Sequence, residues 1–427
     1  MKSKTLLTVF IATALLFCSC GGAGNRQQQA ASGNETTIVE TIEIIPAIID
    51  IAGNLENKRE FRLSDFGSSV RYICLQPPQG VRFSGAGSVL SNDELLFVNT
   101  REGLFMYSID GEYLHTFILN EWGGAGIPAP GGGVSFHQVY GVLGNVDLLN
   151  GTLFYRTFQS PSRDEEAIQL NIFDVENLSE NPNLQLFFQR ELNPDRYMRG
   201  GTRYLLIDNE SFLATNPLRI NPFFTAISIQ SGDTLFTINN YHQPTITAGA
   251  IPTVFSRFYR INGNLMLQIA HSDTVFALIP PNRVEPAFIM EWGEFRSDMN
   301  RRANGLPQND RFLLQNWIET QYHIFIEYTK GDGRDAPRHR AIFDKEAKTL
   351  THHTIPTMMF ENDIDPIGMP FFPQGVNHRG EMYMVFSKAQ VREQIATGKF
   401  NNSRLQALYN RMPDGSFYLM IVYGGNL

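Results

Sequence analysis

The chain has 427 residues, is 42% hydrophobic and 18% charged, and carries a formal net charge of −8. That balance excludes the basic face that nucleic acid demands, and three cysteines are too few for a disulfide-stapled scaffold. The length suits one large all-β domain or several small ones, and 32 Phe with 15 Tyr favour strands.

Met1–Lys4 is short and positive, and the apolar run Thr5–Phe17 that follows is too short for a permanent span, which needs about 20 apolar residues. Charge, apolar run and small residues in that order read as an export signal. Ser19 is small and precedes Cys20, whereas the bulky Phe17 precedes Cys18. The pattern therefore predicts a lipoprotein signal over 1–19, with Cys20 as the acylated new N-terminus. Several acyl chains on one cysteine give stable membrane attachment, at about 0.8 kcal/mol for each buried methylene. Residues 20–40 are rich in Gly, Gln and Ala without apolar periodicity, the composition of a flexible tether. No later run is apolar and long enough to cross a bilayer.

Residues 41–427 form the folded part. Phe61–Leu75 leads it and ends in the apolar strand-like run Val70–Leu75, where Cys74 reads as an inert packing thiol. Six similar units of polar turn and apolar strand follow, about 55 residues apart. Their cores are 91–99 with 103–111, 150–155 with 168–174, 208–214 with 224–229, 262–269 with 273–278, 319–328 with 339–344, and 379–386 with 415–423. Four short strands occupy about that length, which is one blade of a propeller. The phrase Asp-Thr-apolar-Phe at 233–236 and 273–276 supports repetition. The predicted fold is all-β, a six-bladed β-propeller. A pair of β-sandwiches is the runner-up and gives no reason for six units.

Within the last unit, Leu405, Leu408, Tyr409 and Met412 recur at helical spacing, so a short helical insertion is predicted between Ser387 and Met412. The final run Phe417–Tyr423 is almost wholly apolar, which implies burial on both faces. It is predicted to share a blade with Val70–Leu75 and so seal the ring.

The phrases Leu63–Phe66, Val70–Leu75, Phe105–Leu114, Ser272–Leu278, Pro286–Met290 and Trp317–Thr320 carry a resemblance. From about Thr41 onward the chain resembles the six-bladed β-propeller lipoproteins of Bacteroides-type bacteria, a largely uncharacterised family. The Gly-rich stretch Trp122–Gly133 departs from the Gly-Pro-Gly-Glu-like phrase usual there. The resemblance implies an outer-membrane lipoprotein. With no acidic run after Cys20, it also implies a periplasm-facing one. It supplies no catalytic residues.

Candidate sites are sparse. His271 and Asp273 are alternate residues, so on a strand an imidazole and a carboxylate share one side at a channel mouth, the one pair with metal-ligand character. Turn chemistry with a solvated histidine is the favoured reading of the pair, and neither a metal nor another cofactor is expected. The adjacent His352 and His353 would point to opposite faces of a strand. Asp93, Asp208, Asp233, Asp273, Glu319, Asp332, Asp363 and Asp365 sit beside Gly, Asn, Thr or similar residues, as turn-forming acids do. The Gly123–Gly133 stretch is followed by a strand pattern rather than a helix, so it reads as a connection between blades and not a phosphate cradle. The basic residues Arg301, Arg302, Arg334, Arg338, His339 and Arg340 read as solvated, and Trp122, Trp292 and Trp317 as filling between blades. No nucleophile elbow, zinc-binding helix or Cys-x-x-Cys pair is present. The expectation is a binding module for a peptide, glycan or partner envelope protein. A channel-mouth hydrolase or lyase, or a structural subunit of an envelope assembly, is the alternative.

Overall fold

Asn150-Gly151 and Asn262-Gly263 both stand at positive φ, 47° and 73° in the first pair and 49° and 77° in the second. Two successive left-handed residues make the tight turn whose twist matches antiparallel strands, and Asn-Gly tolerates it best. Each pair joins the first and second strands of a four-stranded meander. The computed structural model describes residues 45–424 except 85, 120, 123–126, 129–133, 136–137, 143–145, 163–164, 176–185, 193–203, 216–223, 240–256, 269–271, 280–282, 299, 302–305, 334, 355–358 and 399–401. The predicted signal and tether, with Cys20, lie outside the described residues.

Six such meanders form a six-bladed β-propeller. From innermost to outermost strand, blade 1 is Ala86–Ser91, Leu95–Thr100, Gly103–Ser108 and Tyr113–Leu119. Blade 2 is Asp147–Leu149, Thr152–Ser162, Glu165–Asp174 and Leu186–Leu192. Blade 3 is Tyr204–Leu206, Ser211–Thr215, Phe224–Ser228 and Thr234–Ile238. Blade 4 is Arg257–Ile261, Asn264–Gln268, Thr274–Ile279 and Arg283–Glu291, and blade 5 is Phe312–Glu319, His323–Lys330, Arg338–Asp344 and Thr349–His353. Blade 6 takes Gly375–Val376, Met382–Ser387 and Phe417–Tyr423 from the C-terminal part and Ser69–Leu75 from the N-terminal part. All six predicted units are blades.

The core divides into six apolar clusters, one for each junction between neighbouring blades. Strand alternation produces this. In Phe417–Tyr423, Phe417, Leu419 and Ile421 face blade 1 while Met420 and Val422 face blade 5. Each fully buried apolar side chain contributes about 1.5–3 kcal/mol of transfer free energy, so a strand packed on both sides stabilises two junctions at once.

Closure follows the predicted pairing. Ser69–Leu75 runs antiparallel to the last strand in unbroken register from Ser69 opposite Tyr423 to Leu75 opposite Phe417. The run before it was not foreseen as structure. Ala47–Asp50 lies parallel to the outermost strand of blade 4, and Lys58–Arg59 lies parallel to that of blade 5 against His352 and His353. Residues 47–75 thus form a belt over the outer edges of three consecutive blades, with Ile49, Ile51 and Leu63 buried beneath it. Covering an edge removes an open row of backbone donors and acceptors.

The predicted helical insertion is present, and two other expectations need correction. The helical insertion is a hairpin of two helices, α1 (Lys388–Thr397) and α2 (Asn402–Arg411). Ser387 caps α1 in a reciprocal box with Gln390, and Gly398 at φ 67° breaks it. Leu405, Leu408 and Met412 are buried on the predicted face. The repeated Asp-Thr phrase opens the fourth strand of blade 3 at Thr234 but the third strand of blade 4 at Thr274, so it is turn chemistry and no structural repeat. Cys74 is half-buried rather than fully enclosed, with its thiol pushed up by desolvation.

Candidate functional site

A meander blade has two ends with different connections. The turns between first and second strands are short, as at 92–94, 150–151, 262–263 and 320–322. The inter-blade connections 76–85, 120–146, 193–203, 239–256, 292–311 and 354–374 join the opposite ends of the blades. The same ends carry the second-to-third strand connections, including the 388–416 helical hairpin of blade 6. Long connections on a rigid scaffold are where binding residues concentrate. Blade 2 is extended towards this face. Its second and third strands are the longest of the described residues, and Gln138–Val142 with Glu121–Trp122 add two strands to the far half of that sheet. Ile127–Pro128 and Val134–Ser135, at either side of the second Gly-rich run, pair with each other.

On this face, Asp273 opens the third strand of blade 4 and accepts a salt bridge from Arg296 Nη2 at 2.6 Å, tying it to the 292–311 connection. Its partner in the sequence pattern, His271, lies outside the described residues. Among the described residues no three His, Cys, Asp or Glu side chains gather where one metal ion could bind.

Most of the other acids do turn work. Asp208 accepts from Glu210 N and Ser211 Oγ, both at 2.8 Å, Asp332 from Gln308 N, and Asp363 from Ser64 N and Oγ. Asp233 is exposed in a turn held by its own backbone. Asp365 accepts from Tyr72 Oη at 2.9 Å and from Asn362, pinning the closing strand to the 354–374 connection. Burial first, and then Asp365, raises the Tyr72 phenol. The basic patch disperses. Arg340 is half-buried, paired with Glu327 at 2.9 Å and lying over the Phe372 ring, Arg301 caps its own connection, and Arg302 and Arg334 lie outside the described residues. Trp292 and Trp317 are buried at the junction of blades 4 and 5, as the filling reading expects, while nothing is described of the Trp122 side chain.

Three polar joints escape sequence reasoning. The first links blades 2, 3 and 4: Asp147 Oδ2 accepts from Leu206 N at 2.7 Å and from Arg260 Nη2 at 3.0 Å, and Arg260 also reaches the Leu206 carbonyl. The second centres on Glu319, whose side chain is 2% exposed. Tyr259 Oη donates to Glu319 Oε2 at 2.6 Å, Lys345 Nζ donates to Oε1 at 2.7 Å, and Trp317 Nε1 donates to Tyr259 Oη at 2.8 Å. Burial, then Glu319, lifts the Tyr259 phenol far above its ordinary value. A buried charge is tolerable only when paired and hydrogen-bonded like this.

The third joint places His378 of blade 6 between Ser91 and Asp93 of blade 1, with Ser91 Oγ 2.9 Å from Nδ1 and Asp93 Oδ1 3.0 Å from Nε2. The order matches a hydrolase relay, but the burial is reversed. Ser91 is enclosed, while the Asp93 side chain is 76% exposed and also bound by Arg379 Nη2 at 2.7 Å. A nucleophile needs access and its orienting acid needs shelter. This joint is a clasp between the first and last blades. Hydrogen bonds from His378 and Arg379 hold the Asp93 carboxyl below its usual range. No sequence spacing signals these joints, because their members lie on different blades.

A closed ring of six antiparallel blades, tied together by polar joints between blades, defines a six-bladed β-propeller with one elaborated face. The chain belongs to the family described as Domain of unknown function (DUF4933), whose model matches residues 39–397. It is similar in structure to a Bacteroides fragilis NCTC 9343 protein described as exported, with a TM-score of 0.58 at 11% identity, over 88% of this chain and 99% of that one. A DUF4221 family member from Bacteroides vulgatus ATCC 8482 aligns with a TM-score of 0.41 at 9% identity, over 83% and 98% of the two chains. No curated protein matches the chain. At such identities the likeness speaks for the fold alone.

Proposed function

We propose that this protein is an envelope lipoprotein, acylated at Cys20 and held on the periplasmic side of the outer membrane. Its propeller acts there as a binding module for a peptide, a glycan or a partner envelope protein. The carrying observation is the asymmetry of the ring: the first-to-second-strand turns at one end are tight, while the inter-blade connections, the 388–416 helical hairpin and the blade 2 extension lie at the other. Rigid rings with one elaborated face suit recognition.

Photo-crosslinking in living cells tests the binding face. A photoreactive residue at Leu306, which is exposed in the 292–311 connection, is expected to capture a specific product. One at Glu94, exposed in a turn at the opposite end, is expected to capture none. Capture at Glu94 alone, or equal capture at both, overturns the assignment of the face. For the anchor, Cys20→Ala is expected to abolish incorporation of a fatty-acid analogue and Cys18→Ala to retain it. Equal labelling of wild type and Cys20→Ala refutes acylation at Cys20.

A further inference from the structure

The belt crosses blade 5 directly over two histidines. His352 and His353 end the outermost strand and pair with Lys58 and Arg59. Both are 4% exposed, and they face opposite junctions. His353 stacks edge-on to Phe360 and accepts at Nδ1 from the backbone N–H of Phe61, at 3.2 Å. That nitrogen must carry a lone pair. A proton there would set two donors against each other in a buried site, and an unmet buried donor costs about 1–3 kcal/mol. His352 Nδ1 lies 3.3 Å from Tyr328 Oη, and its Nε2 is buried without a hydrogen bond of ordinary geometry, although the Ile51 carbonyl lies nearby. The belt backbone closes on the same strand through His352 N to Asn57 O at 2.8 Å and Thr354 N to Arg59 O at 3.0 Å.

The surroundings do not welcome added positive charge. From the strand 338–344, His339 faces His352 and Arg340 faces His353. From the belt come Lys58, Arg59, Glu56 and Glu60, all solvent-exposed, so the two acids neutralise little. His323 and Asp65 lie further along around Phe66. The remaining packed groups, Phe61, Phe360 and Tyr328, are aromatic.

We propose that residues 56–66 of the belt are an acid-released latch, docked on blade 5 while His352 and His353 are neutral and detached when they take up protons. Release would uncover the outer edge Thr349–His353. Burial lowers both imidazoles, His352 to about 4. A released imidazole returns to about 6.5, so release binds protons. Docking is therefore at full strength above about 6.5 and weakens as the pH falls towards the docked value. Opening of 56–66 is therefore expected to rise as the pH falls from 7.5 to 5, through His353, which accepts directly from the belt.

Hydrogen exchange on the full chain, corrected for the intrinsic pH dependence, reads this directly. Peptides covering 56–66 are expected to lose protection at pH 5 relative to pH 7.5, while peptides covering 264–268 in blade 4 keep theirs. The double variant His352→Gln/His353→Gln is expected to flatten the change. Unchanged protection of 56–66, or loss shared equally by blade 4, overturns the latch. So does a folded double variant that retains the full pH response. If that variant does not fold, imidazole titration by NMR in the wild type decides: His352 titrating near 6.5 with the belt still protected also refutes it.

Discussion

Ring closure rests on one register, and a single substitution measures it. Cys74 lies opposite Tyr418 in the pairing of the closing strand with the last strand. Directly opposed residues in an antiparallel pair have Cα atoms about 4.5 or 5.5 Å apart, and a disulfide accepts either. In a chain beginning at Ile44, Cys74 is the only native cysteine, so Tyr418→Cys can form one intramolecular bond. That bond would close a loop of roughly 345 residues, for which the chain-entropy relation gives about 6 kcal/mol, with engineered bridges commonly delivering about half. For a domain of roughly 380 residues, a stabilisation of about 3–6 kcal/mol raises Tm by about 4–7 °C. Comparing oxidised and reduced forms of the same variant cancels the lost stacking of Tyr418 on Phe386. Calorimetry with and without reductant, together with a thiol count, is the assay. Leu419→Cys is the control, because residue 419 opposes Ile73 and faces the other junction. Two free thiols after oxidation of Tyr418→Cys, or a bridge formed instead through position 419, would refute the register.

Glu319→Ala removes the acceptor of Tyr259 Oη and the carboxylate partner of Lys345 Nζ, which keeps only the Thr320 carbonyl, and a loss of about 3 kcal/mol in denaturant-unfolding free energy is expected. Glu319→Gln keeps one acceptor oxygen and is expected to lose less. Leu405 is fully buried where α2 meets the junction of blades 5 and 6, so Leu405→Ala is expected to cost about 2–5 kcal/mol by the same measurement. Asp147→Asn, read in a double-mutant cycle with Arg260→Met, is expected to show coupling of about 0.5–3 kcal/mol across blades 2 and 4; additive effects would mean that the joint does not bear load.

The fold was legible because blades are local. Each meander pairs neighbours in sequence, and its turns are written in Asn-Gly and Asp-rich phrases such as 150–151 and 262–263. The closing strand was legible too, since an apolar run like Phe417–Tyr423 cannot remain an edge. The belt was not, because Ala47–Asp50 and Lys58–Arg59 gain their meaning only from the strands beside them, more than two hundred residues away. The same separation hid the polar joints. Asp147 with Arg260, and Ser91 with His378, share no local pattern. Extra strands in blade 2 arise from Glu121–Val142, where glycines blur the alternation that marks a strand. The Asp-Thr phrase misled for a related reason: a turn that starts a strand carries no record of which strand it starts.

The belt also orders how the ring can form. Ser69–Leu75 has no partner until Phe417–Tyr423 exists, and Ala47–Asp50 none until blade 4 is built. Contacts of that sequence separation form slowly, since loop closure must precede their gain. Blades 1 to 5 can therefore assemble as meanders while the N-terminal run stays unpaired, and blade 6 forms only when both parts of the chain meet. The Ser91–His378–Asp93 clasp lies where blades 6 and 1 then abut, and the Tyr72–Asp365 bond fastens the incoming strand to the connection before blade 6. Both kinds of contact hold the seam, the directional bonds beside an apolar cluster that includes Ile73, Leu75, Phe417 and Leu419. Register at the seam is thus specified by hydrogen bonds that a slip of one residue would break, as well as by the side-chain alternation that such a slip would invert.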